Sequence, residues 1–350
     1  MHRRDVILGA GAFGLMGEAA MARPKLYVPP EEAPHAQTIM MWPASRKVHP
    51  DPVFLEMLQE TIIRIANTIA TFEPVVMLAD KSQHAKARKH LSAAVTLWDI
   101  PTEDLWARDA GPLFAWRGQE LAVSHIQFNG WGKNQIHKHD GQVASRVAQT
   151  LGVPLVPSGL IGEAGGVEHD GEGLLIAHQS SWWRKRNARI VSSEEELKSR
   201  LLSAYGATQM IWTAGVAGED ITDYHIDSLA RFAGPGRVLM NLPASPDWED
   251  PFHAAAFNTR DVFKERLEVE TIPEPNQRRV TSIDFVASYV NYYVCNGAVI
   301  APEFGDPETD AIAVDALKRH YPGRQVITLN VDALGEVGGG IHCATQQIPA

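Results

Sequence analysis

Apolar residues recur at helical spacing between Pro52 and Phe72, at Phe54, Met57, Leu58, Ile62, Ile65 and Ile69, which predicts a helix with one buried face. Just ahead of it, Ile39-Met40-Met41-Trp42-Pro43 is a continuous apolar run, the pattern of a buried strand. The alternation continues along the chain. Val75 to Ala79 is strand-like, Gln83 to Leu91 helical, Val95 to Asp99 a strand, and Gly141 to Leu151 helical with a glycine stop at Gly152. Later, Tyr289 to Ile300 is strand-like, Thr309 to Tyr321 helical, and Gln325 to Leu329 a strand. The pattern is α/β, and no linker of flexible composition interrupts it, so residues 23–350 are expected to form one domain.

The first 22 residues do not share this pattern. Val6 to Gly14 match the G-x-G-x-x-G dinucleotide fingerprint at Gly9, Gly11 and Gly14. That fingerprint needs a helix after the third glycine inside a βαβ unit, and only Leu15 to Ala22 remain before Pro24. An export signal fits better: Arg3-Arg4, an apolar run from Val6 to Met16, and Ala20-Met21-Ala22 as a small-residue cleavage site. The paired arginines suggest the twin-arginine route, which would place a mature protein starting near Arg23 in the periplasm or outside the cell. If the segment does not function, the protein stays cytoplasmic. Nothing later in the chain approaches the ~20 apolar residues of a membrane span.

With 350 residues and 45% hydrophobic positions the chain can bury a sizeable core. Lys+Arg of 32 against Asp+Glu of 42 gives a net charge of −10, which argues against a nucleic-acid surface and mildly favours cationic ligands. The two cysteines, Cys295 and Cys343, are too few for a disulfide framework and form no C-x-x-C pair. Cys295 lies in an apolar run and is expected to be buried and inert, the alternative being a redox pairing with Cys343.

Cys343 follows three consecutive glycines, Gly338, Gly339 and Gly340, almost at the C-terminus. Glycines remove side chains from the approach, so a substrate could come within bonding distance of the sulfur, and on that view packing alone would not ask for them. A glycine-rich turn around a buried thiol is the other reading, and this segment alone leaves both open.

Four further segments combine turns with ionisable groups. Asp104-Leu105-Trp106-Ala107-Arg108-Asp109 precedes a Gly-Pro turn; a carboxylate there could bind a cation, or Arg108 and Asp109 could be a surface pair. Gly162 to Gly173 is dense in glycine and carboxylates and would also fit a solvated hairpin. Tyr224-His225-Ile226-Asp227 would, on a strand, point His225 and Asp227 to one face. Phe128-Asn129-Gly130-Trp131-Gly132 could wall a pocket or simply turn. His137, His139, Asp140 and the pair His169-Asp170 raise a metal reading, but neither H-E-x-x-H nor a Cys/His knuckle occurs, and no G-x-S-x-G elbow supports a serine hydrolase.

In combination and order, these segments resemble the agmatine deiminase family of guanidine-modifying enzymes, within the arginine deiminase superfamily, over roughly Glu32 to Gln347. The resemblance rests on Met41-Trp42-Pro43, Trp106 to Pro112, Phe128 to Gly132, Glu163 to Gly173, His225-Ile226-Asp227 with Ala230-Arg231-Phe232, and Gly338 to Gln347. It implies a five-bladed, pseudo-symmetric α/β propeller of ββαβ units around a central site. It places the nucleophile on Cys343, the acid/base histidine on His225, guanidinium-binding carboxylates on Asp109 and Asp227, and the remaining active-site glutamate on Glu163. Trp106, Trp131, Arg108 and Gly340 are expected beside the substrate. Two positions depart from the family pattern, Tyr224 and Ala164, where glycines are usual, and both are expected to reshape the pocket.

The implied reaction is hydrolytic deimination without metal or organic cofactor, agmatine giving N-carbamoylputrescine and ammonia through a covalent thiouronium on Cys343. Export leaves peptidylarginine or free arginine as alternative substrates. Amidino transfer within the same fold, and a non-catalytic exported binder of cationic polyamines or peptides, are the rival functions. The expected partner is a small cationic guanidine or an arginyl peptide, with no nucleic acid; a homo-oligomer is compatible with the sequence.

Overall fold

The computed structural model describes residues 25–282 and 285–350, and the segment read as an export signal lies outside the described residues. β1 (Leu26–Tyr27) is a short strand. β2 (His35–Met41), β3 (Val75–Ala79) and β4 (Val95–Asp99) run parallel, the helix Pro52–Ile69 crossing between the first two. β5 (Leu113–Arg117) turns back into β6 (Glu120–Gln127), and the helix Val143–Leu151 carries the chain to β7 (Leu155–Ile161), parallel to β6.

The same order of hairpin, helix and parallel strand recurs three times. It appears in β8 (Glu168–His169), β9 (Leu174–His178) and β10 (Gln209–Thr213). It appears again in β11 (Ala230–Phe232), β12 (Arg237–Leu242) and β13 (Glu268–Pro273). The last is β14 (Tyr293–Cys295), β15 (Ala298–Glu303) and β16 (Gln325–Asn330). β17 (Gln346–Pro349) then pairs antiparallel with β2, so the end of the chain supplies the first sheet with the antiparallel strand that the others take from their own hairpins. The described residues therefore form five sheets built on one plan.

Local chemistry explains the elements. Asp51-Pro52, Asp250-Pro251 and Asp306-Pro307 each open a crossover helix, the aspartate accepting from first-turn N–H groups and the proline sitting where no N–H is needed. In the helix Pro52–Ile69, Leu58, Ile62, Ile65 and Ile69 are buried against Ile39, Met41, Val75 and Met77 of the first sheet. Fully burying each such side chain is worth about 2 kcal/mol. Met57 falls off that face and is exposed.

Two expected elements differ. The helix placed at Gln83 to Leu91 is α-helical only over His84–Arg88. The run Tyr289 to Ile300 is not one strand but a lead-in followed by the β14–β15 hairpin, because Asn296-Gly297 turns the chain, with Gly297 at φ 78°. Among the described residues no helix is long and apolar enough to cross a membrane.

Candidate active site

Each sheet's first antiparallel strand is preceded by a short lead-in, and those five lead-ins carry the candidate site residues. Asp109 lies ahead of β5, Glu163 ahead of β8, His225 and Asp227 ahead of β11, Asn291 ahead of β14 and Cys343 ahead of β17. His225 does not share a strand face with Asp227 as the H-x-D spacing suggested. The stretch Ile226–Ser228 is a 3₁₀ turn with His225 at its amino end, and the turn, not a pleat, brings both residues inward.

The five predicted catalytic residues converge. The Cys343 thiol donates to Oδ2 of Asp227 at 3.5 Å and receives the Asn291 amide at 3.2 Å. His225 presents Nε2 to Oε2 of Glu163 at 3.3 Å and Nδ1 toward Oδ1 of Asp109 at 3.7 Å. Trp131 donates its indole N–H to Oδ2 of Asp109, and His342 places Nδ1 2.7 Å from Oδ2 of Asp227. One oxygen of each carboxylate is left over. Oδ1 of Asp109, Oε1 of Glu163 and Oδ1 of Asp227 are buried with no hydrogen-bond partner among the described residues. Three such acceptors together are costly unless a donor-rich ligand meets them.

Burial and charge set the protonation of these groups. Burial pushes the Asp109 carboxyl up to about 6, Glu163 and Asp227 adding to the rise while His225 and the Trp131 bond oppose it. For His225, burial disfavours the charged ring, but Asp109, Glu163 and Asp227 together outweigh it and hold the imidazole up at about 9. Asp227 is as deeply buried as Asp109, yet its carboxyl is held below the usual value, the His342 bond and charge overcoming desolvation. Burial pushes the Cys343 thiol well up, and Asp227 and Asp109 push it further, with Gly340 and Asn291 pulling the other way. Without a cation in the site, this thiol keeps its proton.

The glycines before the cysteine serve packing, contrary to the expectation that packing alone would not require them. A Cβ on Gly339 would come 2.5 Å from the Trp106 ring, and one on Gly340 would come 2.5 Å from Oδ1 of Asn291. Gly338 takes φ 86°. Trp106 is thus fitted against Gly339, and Gly340 makes room for the amide that touches the sulfur. A Cβ on Gly165 would lie 2.7 Å from Oδ1 of Asp109, 2.9 Å from Nδ1 of His225 and 3.1 Å from Oδ2 of Asp227, so the space these groups enclose depends on that glycine.

Arg108 is neither a surface residue nor a partner of Asp109. It is buried, its guanidinium bound to Glu31 at 2.7 Å and Gln347 at 3.0 Å, while its backbone N–H donates to the Cys343 carbonyl at 3.0 Å. It ties the Cys343 segment in place. The stretch Gly162 to Gly173 is no solvated hairpin either, since Glu163, Glu168 and Asp170 are all buried. Tyr224 turns its ring onto His178 and Phe252, at centroid distances of 4.7 and 5.0 Å, and adopts φ 69°, a backbone conformation that explains why glycine suits the position. Ala164 is buried beside Glu163. Both cysteines are free, and burial with the charge of Glu73 pushes the Cys295 thiol up to about 12. Asp140, part of the metal reading, instead accepts the backbone N–H groups of Glu103 and Asp104.

Four functional neighbours escaped the sequence reading. Asn291 touches the sulfur, Arg186 holds Oε2 of Glu163 at 2.8 Å and Asp223 at 2.8 Å, and His342 and Glu31 stand behind Asp227. His342 sits beside the recognised cysteine, so its position was a signal. Asn291, Arg186 and Glu31 lie in no motif.

The sequence model described as Porphyromonas-type peptidyl-arginine deiminase matches residues 27–349. The chain belongs to that family. Among relatives of this peptidyl-arginine deiminase family member, a Streptomyces coelicolor protein assigned as an agmatine deiminase is 34% identical over 336 residues, covering 92% of this chain and 98% of its own. A Selenomonas ruminantium protein with the same assignment is 30% identical over 368 residues, covering 93% and 96%. The solved agmatine deiminase of Enterococcus faecalis superposes with a TM-score of 0.82 over 94% of this chain and 98% of its own, at 22% identity, which shows a common fold.

Proposed function

We propose that this protein is a hydrolase that deiminates a small guanidine, agmatine first among them, to a ureido product and ammonia. The observation that carries the reading is the set of three unpartnered carboxylate oxygens, on Asp109, Glu163 and Asp227, gathered with the Cys343 thiol and His225. A guanidinium is planar and rich in donors, so carboxylates can hold it through charge-assisted bonds while the nucleophile meets its central carbon. All five residues are at most 9% exposed, which favours a slender free guanidine over a side chain on a folded protein. The names of the relatives point the same way.

In the proposed cycle the bound cation offsets the carboxylates and favours the thiolate of Cys343. The thiolate attacks the guanidinium carbon, and protonated His225 gives its proton to the departing nitrogen, which leaves as ammonia. A thiouronium adduct remains on the sulfur. His225, now neutral, takes a proton from water as the oxygen adds to the same carbon, and collapse of this second tetrahedral species breaks the C–S bond, its hydroxyl proton passing to solvent as the ureido product and the thiolate are released. Glu163, held by Arg186, keeps the imidazole oriented through both steps. In the same reading the five sheets stand as blades around this site, and the amino-terminal segment exports the protein; fractionation of cells for a chain cleaved near Arg23 tests the latter.

The deciding experiment offers agmatine, free arginine and an arginyl peptide in parallel, with and without an acceptor amine, and follows ammonia and ureido product. Cys343→Ala is the control. Agmatine turnover abolished by that substitution is the expected result. Peptide turnover alone would assign the protein-modifying activity, and amine-dependent product would assign transfer. Turnover that survives Cys343→Ala would overturn the mechanism, while no turnover of anything would leave the cation binder.

A further inference from the structure

Asp109 and Asp227 are chemically alike, both buried and parts of one cluster, yet their second oxygens meet different partners. Oδ2 of Asp109 receives a neutral indole N–H. Oδ2 of Asp227 meets Nδ1 of His342 at 2.7 Å, and the opposite ring nitrogen, Nε2, lies 3.1 Å from Oε2 of Glu31 and 3.7 Å from Oε1 of Glu168. The imidazole is therefore gripped at both ends by carboxylates.

Glu31 is itself held from several directions. Its two oxygens also meet Nη2 of Arg108 at 2.7 Å, Nη2 of Arg231 at 3.0 Å and the backbone N–H of Val294 at 2.8 Å. These partners come from the lead-in to β5, from β11 and from β14, and His342 comes from the lead-in to β17. Arg231 also pairs with Glu168 of β8 at 2.7 Å. One carboxylate, on the segment between β1 and β2, thus ties two lead-ins and two strands together, and it reaches Asp227 through the His342 ring.

We propose that His342, anchored by Glu31, is a positioning residue that fixes Oδ2 of Asp227 so that Oδ1 points at the substrate guanidinium and the carboxylate stays charged beside the Cys343 thiol. The proposal rests on the deimination reading given above. The charged and titratable groups around Asp227 are His342 and Cys343 from the lead-in to β17, His225 on its own segment, Asp109 from the lead-in to β5 and Arg231 on β11. Only His342 and Cys343 bond its carboxylate, and His342 is much the closer, at 2.7 Å against 3.5 Å. This accounts for the opposite behaviour of the two aspartates, Asp109 being pushed up by burial and Asp227 held down despite it.

The two ring nitrogens can be separated by substitution. An asparagine amide occupies roughly the place of Nδ1 and can still donate to Asp227, whereas a glutamine amide reaches the place of Nε2 and serves only Glu31. His342→Asn should keep KM for agmatine near that of the parent protein. His342→Gln and His342→Ala should raise it about 10- to 100-fold, the usual loss when a buried charged acceptor loses its donor. Both should also move the acid limb of kcat/KM to higher pH, while thermal melting shows that they fold. Equal KM values for the Asn and Gln variants, or lowered melting with no shift of the acid limb, would overturn the proposal. If the parent protein turned over no guanidine, the functional reading would fail separately. Protection of Cys343 from iodoacetamide by guanidinium chloride would then decide the role of His342: weaker protection in Gln than in Asn supports it, and equal protection overturns it.

Discussion

Trp131 donates its indole N–H to Oδ2 of Asp109 at 2.9 Å, and Oδ1 of the same carboxylate has no partner among the described residues. The tryptophan holds φ 51° between Gly130 and Gly132, both also at positive φ, so the backbone is bent to aim one ring. Trp131→Phe keeps the ring and removes the donor. Hydrogen bonds to charged groups are worth about 1.5–3 kcal/mol, so KM for agmatine should rise roughly tenfold or more with a smaller change in kcat. Steady-state kinetics check this, and an unchanged KM would remove Trp131 from the site's support.

Gly165 is the residue whose side chain would enter the catalytic space. In Gly165→Ala the new methyl would press on Asp109, His225 and Asp227. Turnover should fall about 100-fold or more, as expected when reacting groups are displaced by a fraction of an ångström, while the fold survives. Activity close to the parent level in a folded variant would show that the substrate does not use this space.

The pH dependence follows from two groups. Below about 6 Asp109 takes up a proton and loses its charge, and above about 9 His225 loses the proton that the proposed mechanism has it donate. kcat/KM should therefore form a bell, falling on the acid side near the first value and on the alkaline side near the second. A profile measured from about pH 5 to about 10 that stays flat through either limb would detach that group from the reaction.

Tyr224 pays for a left-handed backbone with the packing of its ring. Tyr224→Gly would relieve about 1 kcal/mol of strain but lose the packing of a half-buried aromatic against His178 and Phe252, which costs about 2–3 kcal/mol. The variant should be net less stable in denaturant unfolding. Because the ring turns toward His178 and Phe252, kcat should change little; a large change in kcat would place Tyr224 in the pocket after all.

His178 is fully buried, with Nδ1–H donating to the Tyr224 carbonyl at 2.9 Å, and burial pushes its imidazole down to about 4. The folded value lies below the unfolded one, so protons favour the unfolded chain. Its contribution is whole above the unfolded value of about 6.5 and declines as pH falls toward about 4, by about 3 kcal/mol in all. Unfolding free energies measured across that window in the parent protein and His178→Gln should show a shallower slope in the variant; identical slopes would assign the acid sensitivity elsewhere.

Much of the scaffold was legible because local patterns encode it. The apolar stripe from Leu58 to Ile69 and the strand runs at Val75 to Ala79 and Gln325 to Leu329 all act within a few residues. The hairpin hidden in Tyr289 to Ile300 was obscured by its apolar flanks, although Asn296-Gly297 marked the turn. The fivefold plan came to the sequence only through the family resemblance and not through any repeat along the chain, because its units share an order of elements and not a sequence. Cys343, His225, Asp109, Asp227 and Glu163 were readable through motifs.

What the sequence by itself determined is therefore most of the set of elements, the family resemblance and the candidate groups that the fold brings together. Only the tertiary structure decided what those groups touch. Asp227 and Cys343 lie 116 residues apart, Glu31 and Arg231 lie 200 apart, and Glu31 and Val294 lie 263 apart. No periodicity spans such distances. A buried carboxylate or arginine is tolerated only when its partner arrives from elsewhere in the fold, so Glu31, Arg186 and Arg108 look like surface charges until the five lead-ins come together.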